Sequence, residues 1–294
     1  MALKEVNEPS ASLTRWWSEN TVAVVTGGNR GIGFSLVKKL AELGLTVVLT
    51  CRDDSKGQEA IESLKSEGLN NVRFFRLDVM DTSCINELVS WLKEAFGGLD
   101  ILVNNAAVSF NEINENSVQH AETTIKTNYY GPKLLTEALL PLFRRSVSVS
   151  RILNISSRLG LLNKVRNPIV RELLEDEDRL CEKRIDFVVN RFLEDVTTGT
   201  WEGEGWPKVW TDYAVSKVGL NAYSRVLAKR YDGLGLSVNC LCPGFTQTDM
   251  TAGKGNHSAD SAAEMAAQIV LLPPEKLPTG KFYIKNKPFL YSKI

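Results

Sequence analysis

Short, unbroken apolar runs recur along the chain, separated by longer stretches with helical spacing. TVAVVT (21–26), TVVLTC (46–51), VRFFRLD (72–78), DILVNNA (100–106), RILNIS (151–156) and LSVNCLC (236–242) are such runs. Runs without strict alternation predict strands buried on both faces, as in a parallel sheet covered by helices. Between the first two, Ile32, Leu36, Leu40 and Leu43 share one helical face over 32–43, and Gly44 follows as a stop signal. Residues 82–96 and 117–143 also carry helical spacing. Strand and helix in alternation predict an α/β fold: a Rossmann-type doubly wound parallel sheet in three α/β/α layers.

The alternation breaks once, before TDYAVSK (211–217). We expect a single domain over 21–294, with a helical insertion at about 158–212 and a flexible extension at 1–20 whose Trp16 and Trp17 pack onto the body. Strandless stretches of this length in a compact domain are usually functional. Within the insertion, Ile185, Val188, Val189, Phe192 and Val196 line one helical face, which must be buried. The cheapest place is against the protein's own helices. This predicts a monomer, with the tryptophan-rich loop TTGTWEGEGWPKVW (197–210) near a substrate entrance.

Composition narrows the function. Basic and acidic residues balance at 35 each, which argues against nucleic acid as a partner. No apolar stretch reaches the roughly 18 residues of a membrane helix, and the first twenty residues lack the apolar centre of a secretory signal. The cytoplasm is the expected compartment. The five cysteines form no CxxC pair, and the two histidines fall in no HExxH pattern, so no metal site is expected. There is no GxSxG elbow for a serine hydrolase either.

The first strand runs into TGGNRGIG (26–33), placing Gly27, Gly31 and Gly33 between a strand and a helix start. Such a turn lets backbone amides and the helix dipole meet a pyrophosphate. At the end of the second strand, Cys51 and Arg52 stand where a carboxylate would select NAD. With Arg30 in the glycine turn, two guanidiniums suit a 2′-phosphate and favour NADP(H), while Asp53 and Asp54 keep NAD open as the weaker alternative. Tyr213 and Lys217 lie four apart, on one helical face. An ammonium one turn from a phenol predicts a tyrosine tuned as an acid, its pKa drawn from about 10 toward 7.

With these pieces in order, the chain resembles the short-chain dehydrogenase/reductase family over nearly all of 21–285. TGGNRGIG, LDV (77–79), NNAA (104–107), TNYYG (127–131), NISS (154–157), YAVSK (213–217) and PGFTQT (243–248) carry the resemblance. The 56 positions between Ser157 and Tyr213 resemble the monomeric carbonyl reductase branch, which includes plant reductases of terpenoids and alkaloids. The resemblance implies that Tyr213 is the general acid–base, Lys217 its tuner, Ser157 the group that orients the carbonyl, and Asn128 the holder of a proton-relaying water. It implies a cofactor cradle of Gly27, Asn29, Arg30, Gly31, Ile32, Gly33 and Arg52. Asp78 and Val79 would flank the adenine, Asn105 the adenosine ribose, and Pro243, Gly244 and Thr248 the nicotinamide. Ala107 departs from the usual NNAG. The expected activity is NADPH-dependent reduction of a small-molecule, bulky, apolar ketone or aldehyde. Alternatives are an alcohol dehydrogenase working oxidatively, an enone reductase, and a silent NADP-binding regulator.

Overall fold

The computed structural model describes residues 15–110, 116–145, 149–284 and 287–289. Eight strands form one sheet in the order β3-β2-β1-β4-β5-β6-β7-β8. They are β1 (Val22–Thr26), β2 (Thr46–Cys51), β3 (Val72–Arg76), β4 (Ile101–Asn104), β5 (Ser150–Ile155), β6 (Leu236–Cys242), β7 (Phe282–Ile284) and β8 (Lys287–Phe289). Neighbours pair in parallel except β7 and β8, which pair antiparallel. The six apolar runs are the first six strands. Every residue of β1, β4, β5 and β6 is buried, as strands covered on both sides require.

One face of the sheet carries α1 (Gly31–Glu42), α2 (Asp54–Ser66) and α9 (Ala259–Val270), packed through Leu36, Leu40, Leu64 and Ala266. The other carries α3 (Thr82–Phe96), α4 (Val118–Ile125), α5 (Gly131–Leu139) and α8 (Thr211–Arg230), packed through Leu88, Ile125, Leu135 and Val215. Helix starts are set by side chains: Asp53, Asp81, Ser117 and Ser258 accept hydrogen bonds from first-turn amides. Each such cap stabilises its helix by about 1 kcal/mol.

The single helix expected over 117–143 is interrupted. Residues Lys126–Tyr130 form a π turn between α4 and α5. Pro132 lacks the N–H that the Asn128 carbonyl, four residues back, would otherwise accept from, and the backbone widens there.

The insertion contains α6 (Pro168–Glu175) and α7 (Glu182–Thr197). Ile185, Val188, Val189, Phe192 and Val196 are all buried, and α7 packs on α4 and α8. Polar contacts reinforce it: Tyr129 donates to Asp186 at 2.7 Å and Lys133 pairs with Asp186 at 2.8 Å. Of the first twenty residues, 1–14 lie outside the described residues. The remainder is docked rather than free: Trp16 Nε1 donates to the Leu271 carbonyl, and the Arg151 guanidinium sits 3.4 Å above the Trp16 ring. No helix among the described residues is long and apolar enough to cross a membrane.

Candidate active site

A cleft of about 530 Å³ opens beyond the C-terminal ends of the central strands, where the strand order reverses between β1 and β4. Its lining includes Gly27, Asn29, Arg30, Gly31, Ile32, Arg52, Asp78, Val79, Asn105, Ser157, Tyr213, Lys217, Pro243, Gly244 and Thr248. Two of the residues singled out from sequence, Gly33 and Asn128, lie behind it.

The glycine turn is built for close approach. Gly27 and Gly31 adopt φ of 63° and 54°, conformations that other residues enter only with strain. A Cβ on Gly33 would sit 2.2 Å from the Gly27 carbonyl oxygen, so its role is to let α1 press against the turn. Unlike α2, α3, α4 and α9, the start of α1 has no side-chain cap. Its free first-turn amides face the cleft, as a pyrophosphate site requires. Asn105 Nδ2 donates to the Thr26 and Gly27 carbonyls at 2.9 and 3.2 Å, so its amide clamps the glycine turn while the residue lines the cleft.

At the adenosine end, Cys51 closes β2 and its Sγ donates to the Asp53 carbonyl. Arg52 is exposed beside it, and Asp53 is committed to capping α2 and to Lys56 at 3.9 Å. Arg30 reaches across the cleft to Asp249 at 2.7 Å, an ion pair with both partners largely exposed.

At the opposite end, α8 carries Tyr213 and Lys217. Lys217 Nζ lies 5.4 Å from the centre of the Tyr213 ring and donates to the Ile155 carbonyl at 2.9 Å. Lys217 is buried, and loss of hydration lowers its pKa to about 8, which leaves it mostly protonated at pH 7. Burial also pushes the Tyr213 phenol above its ordinary value, with the nearby Cys242 sulfur adding to the effect. The Ser157 hydroxyl hydrogen-bonds the phenol and works in the other direction, favouring phenolate. The phenol is thus shifted upward rather than down in the cofactor-free protein, burial outweighing the Ser157 hydrogen bond.

Asn128 sits in the π turn, fully buried. Its Oδ1 accepts from Val108 N at 2.8 Å, and its Nδ2 donates to the Val108 carbonyl at 2.8 Å and to Ser216 Oγ at 3.1 Å. With both amide protons committed, the side chain pins the loop at Val108, so a water held by Asn128 would have to be held by its backbone.

The cleft also contains residues that motif reading passed over. Trp210 precedes α8 with φ of 47°, its ring 6.5 Å from that of Tyr213 and 6.3 Å from that of Phe245. Arg158 and Leu159 follow Ser157 on a short 3₁₀ turn. Of the three tryptophans in the tryptophan-rich loop, Trp210 alone lines the cleft, beside Val209. Trp206 turns inward, packing on Phe192 and donating to Asp195 at 2.8 Å.

A strand–glycine turn–helix facing a Ser–Tyr–Lys group across the ends of a doubly wound sheet is the arrangement of a nucleotide-dependent oxidoreductase. The family model for short chain dehydrogenase matches residues 21–169 and 196–259, and the chain belongs to that family. The unmatched 170–195 contain most of α6 and nearly all of α7. Salutaridine reductase of Papaver bracteatum is 43% identical over 293 residues, covering 89% of this chain and 93% of that protein. Carbonyl reductase (NADPH) 1 of Mus musculus is 36% identical, covering 92% and 98%. The structure of salutaridine reductase from Papaver somniferum aligns with a TM-score of 0.84 at 40% identity, covering 90% of this chain and 99% of that one.

Proposed function

We propose that the protein is a monomeric, NADPH-dependent carbonyl reductase acting on a bulky, largely apolar ketone or aldehyde, with Tyr213 as the proton donor. The observation that carries this reading is Tyr213, hydrogen-bonded by Ser157 and underlain by Lys217, at one end of a cleft whose other end is the uncapped start of α1. The uncapped helix, the glycine cradle and the exposed Arg52 fit a dinucleotide carrying a 2′-phosphate. The printed name of the mouse relative supports the same cofactor. When bound, NADPH supplies the hydride, leaving position and proton to the protein.

The Ser157 hydroxyl orients the substrate carbonyl oxygen toward the phenol. Burial keeps that phenol protonated at neutral pH, which is the form a proton donor needs. The phenolate left behind is stabilised by the Ser157 hydroxyl and by the Lys217 charge in a site of reduced dielectric. Leu159, Val209, Trp210 and Phe245 give the substrate end an apolar wall. The printed name of the poppy relative, salutaridine reductase, supports a substrate of salutaridine-like size. Burial of the apolar face of α7 on α4 and α8 supports a monomer, and five free cysteines suit a reducing compartment such as the cytoplasm.

Incubation with NADPH and a panel of bulky ketones and enones, with product analysis, tests the proposal. Secondary alcohols are the expected products. Saturated ketones from the enones, or no turnover of any carbonyl, would overturn it.

A further inference from the structure

Five cationic side chains line the cleft: Arg30, Arg52, Lys56, Arg158 and Lys217. Three are engaged by the protein itself. Arg30 pairs with Asp249, Lys56 lies 3.9 Å from Asp53, and Lys217 donates to the Ile155 carbonyl. Among the described residues, the guanidiniums of Arg52 and Arg158 meet neither a carboxylate nor a carbonyl. Arg52 follows β2, at the end where the 2′-phosphate belongs. Arg158 follows β5, three strands away in the order β2-β1-β4-β5. At ~4.8 Å per strand their backbones stand about 14 Å apart, Arg52 at the ribose end and Arg158 beside Ser157.

The carboxylates that line the cleft are Asp53, Asp78 and Asp249, and all belong to the cofactor half. Among the described residues no carboxylate lines the cleft beside Ser157, Trp210, Tyr213 and Phe245; Asp212, next to Tyr213, is buried and accepts from Thr124 Oγ1 and the Tyr213 amide instead. The backbone at Arg158 is pinned: its amide donates to Cys242 Sγ at 3.3 Å, and Ser157 Oγ accepts from Leu159 N at 3.1 Å. The side chain is exposed. A fixed backbone thus presents an uncompensated guanidinium next to the residue that orients the carbonyl, beside an aromatic wall.

We infer that Arg158 selects substrates that carry a carboxylate on the apolar body, on the side away from the nicotinamide. A planar guanidinium matches a carboxylate with two donors, and among the described residues no acid lining that end of the cleft competes for it. The inference rests on the reductase reading for the position of the carbonyl, and its test separates the two.

The probes are 4-benzoylbenzoate and its methyl ester, the same bulky aryl ketone with and without the charge. Binding is measured by calorimetry to the protein saturated with NADP⁺. The wild type binds the acid about five- to tenfold more tightly than the ester, the scale of one partly exposed charge-assisted contact. Arg158→Gln weakens the acid alone, bringing the two ligands level, and Arg158→Lys retains part of the preference. No preference in the wild type, or a preference that survives Arg158→Gln, overturns the inference. So does equal weakening of both ligands, since the residue would then shape the pocket without reading charge. Turnover of the same pair with NADPH tests the reductase reading separately. Binding that depends on Arg158 without reduction sinks that reading alone, whereas reduction of both ketones with no dependence on Arg158 sinks the inference alone.

Discussion

Replacing Lys217 by methionine should stabilise the cofactor-free protein while abolishing its activity. Lys217 is 2% exposed, and burial lowers its pKa from an ordinary 10.5 to about 8. Keeping the proton in the folded state at pH 7 therefore costs about 3 kcal/mol, at ~1.36 kcal/mol per pH unit. Methionine has a similar length and no charge, so it removes that cost. It also removes the hydrogen bond to the Ile155 carbonyl, a loss of about 1 kcal/mol. The balance is ~2 kcal/mol in favour of the variant. With an unfolding entropy of ~2.1 cal/mol/K per residue, a chain of 294 residues should gain about 3 °C in Tm.

The sign can be checked with pH. Below pH 8 lysine is protonated in both folded and unfolded chains, and the cost is present in full. Between pH 8 and 10.5 the folded protein loses the proton first, so the wild type gains stability relative to its unfolded chain. Above 10.5 the cost is gone and only the hydrogen bond distinguishes the two proteins. Urea unfolding of Lys217→Met and wild type, without nucleotide, at several values from pH 7 to 10 measures the difference. The advantage of the variant should hold nearly level to about pH 8 and shrink from there to pH 10. A variant less stable than wild type at pH 7, or a difference that does not change with pH, would refute the burial argument.

Tyr213→Phe should preserve the fold and NADPH binding yet lower turnover at least about a hundredfold, the lower scale for a lost general acid; near-normal kcat on the true substrate would place the proton donor elsewhere. NADPH should exceed NADH by more than about tenfold in kcat/KM, since two arginines and no free carboxylate stand at the ribose end. Asp249→Asn should raise that ratio further by releasing Arg30 from its ion pair, and a ratio unchanged by the substitution would show that Arg30 is not shared. Light scattering at micromolar concentration should report a monomer of about 32.7 kDa, because α7 occupies its own helices; a stable dimer or tetramer would contradict this.

Strands were legible where burial on two faces leaves an unmistakable composition. All of β1, β4, β5 and β6 are apolar enough to announce themselves. The last two strands are three residues each and depend on pairing at the sheet edge, which no local pattern encodes. Helix α2 went unread for the opposite reason. It buries only Gly57, Ala60, Ile61 and Leu64 among charged neighbours, so its apolar face is too thin to stand out. The π turn at Lys126–Tyr130 is visible in principle, through Pro132, but only once the helix it interrupts is known.

The site divides along a similar line. Backbone-driven features, such as the glycine turn and the i, i+4 tyrosine and lysine, follow from spacing. Side-chain partners do not: that the amides of Asn105 and Asn128 donate to backbone carbonyls is visible only in the fold. Arg158 was passed over because spacing alone does not say which of a cleft's cations the protein has already neutralised. The phenol shows the limit most clearly. Charge proximity alone predicts a lowered pKa, but proximity is written in the sequence and solvent exclusion is not. In the folded chain the lost hydration of Tyr213 raises the phenol, and the Ser157 hydroxyl only partly offsets it. On the proposed reading that outcome suits reduction. A neutral phenol is already the donor at pH 7, and the alcohol-oxidising direction would first have to ionise it against the same burial.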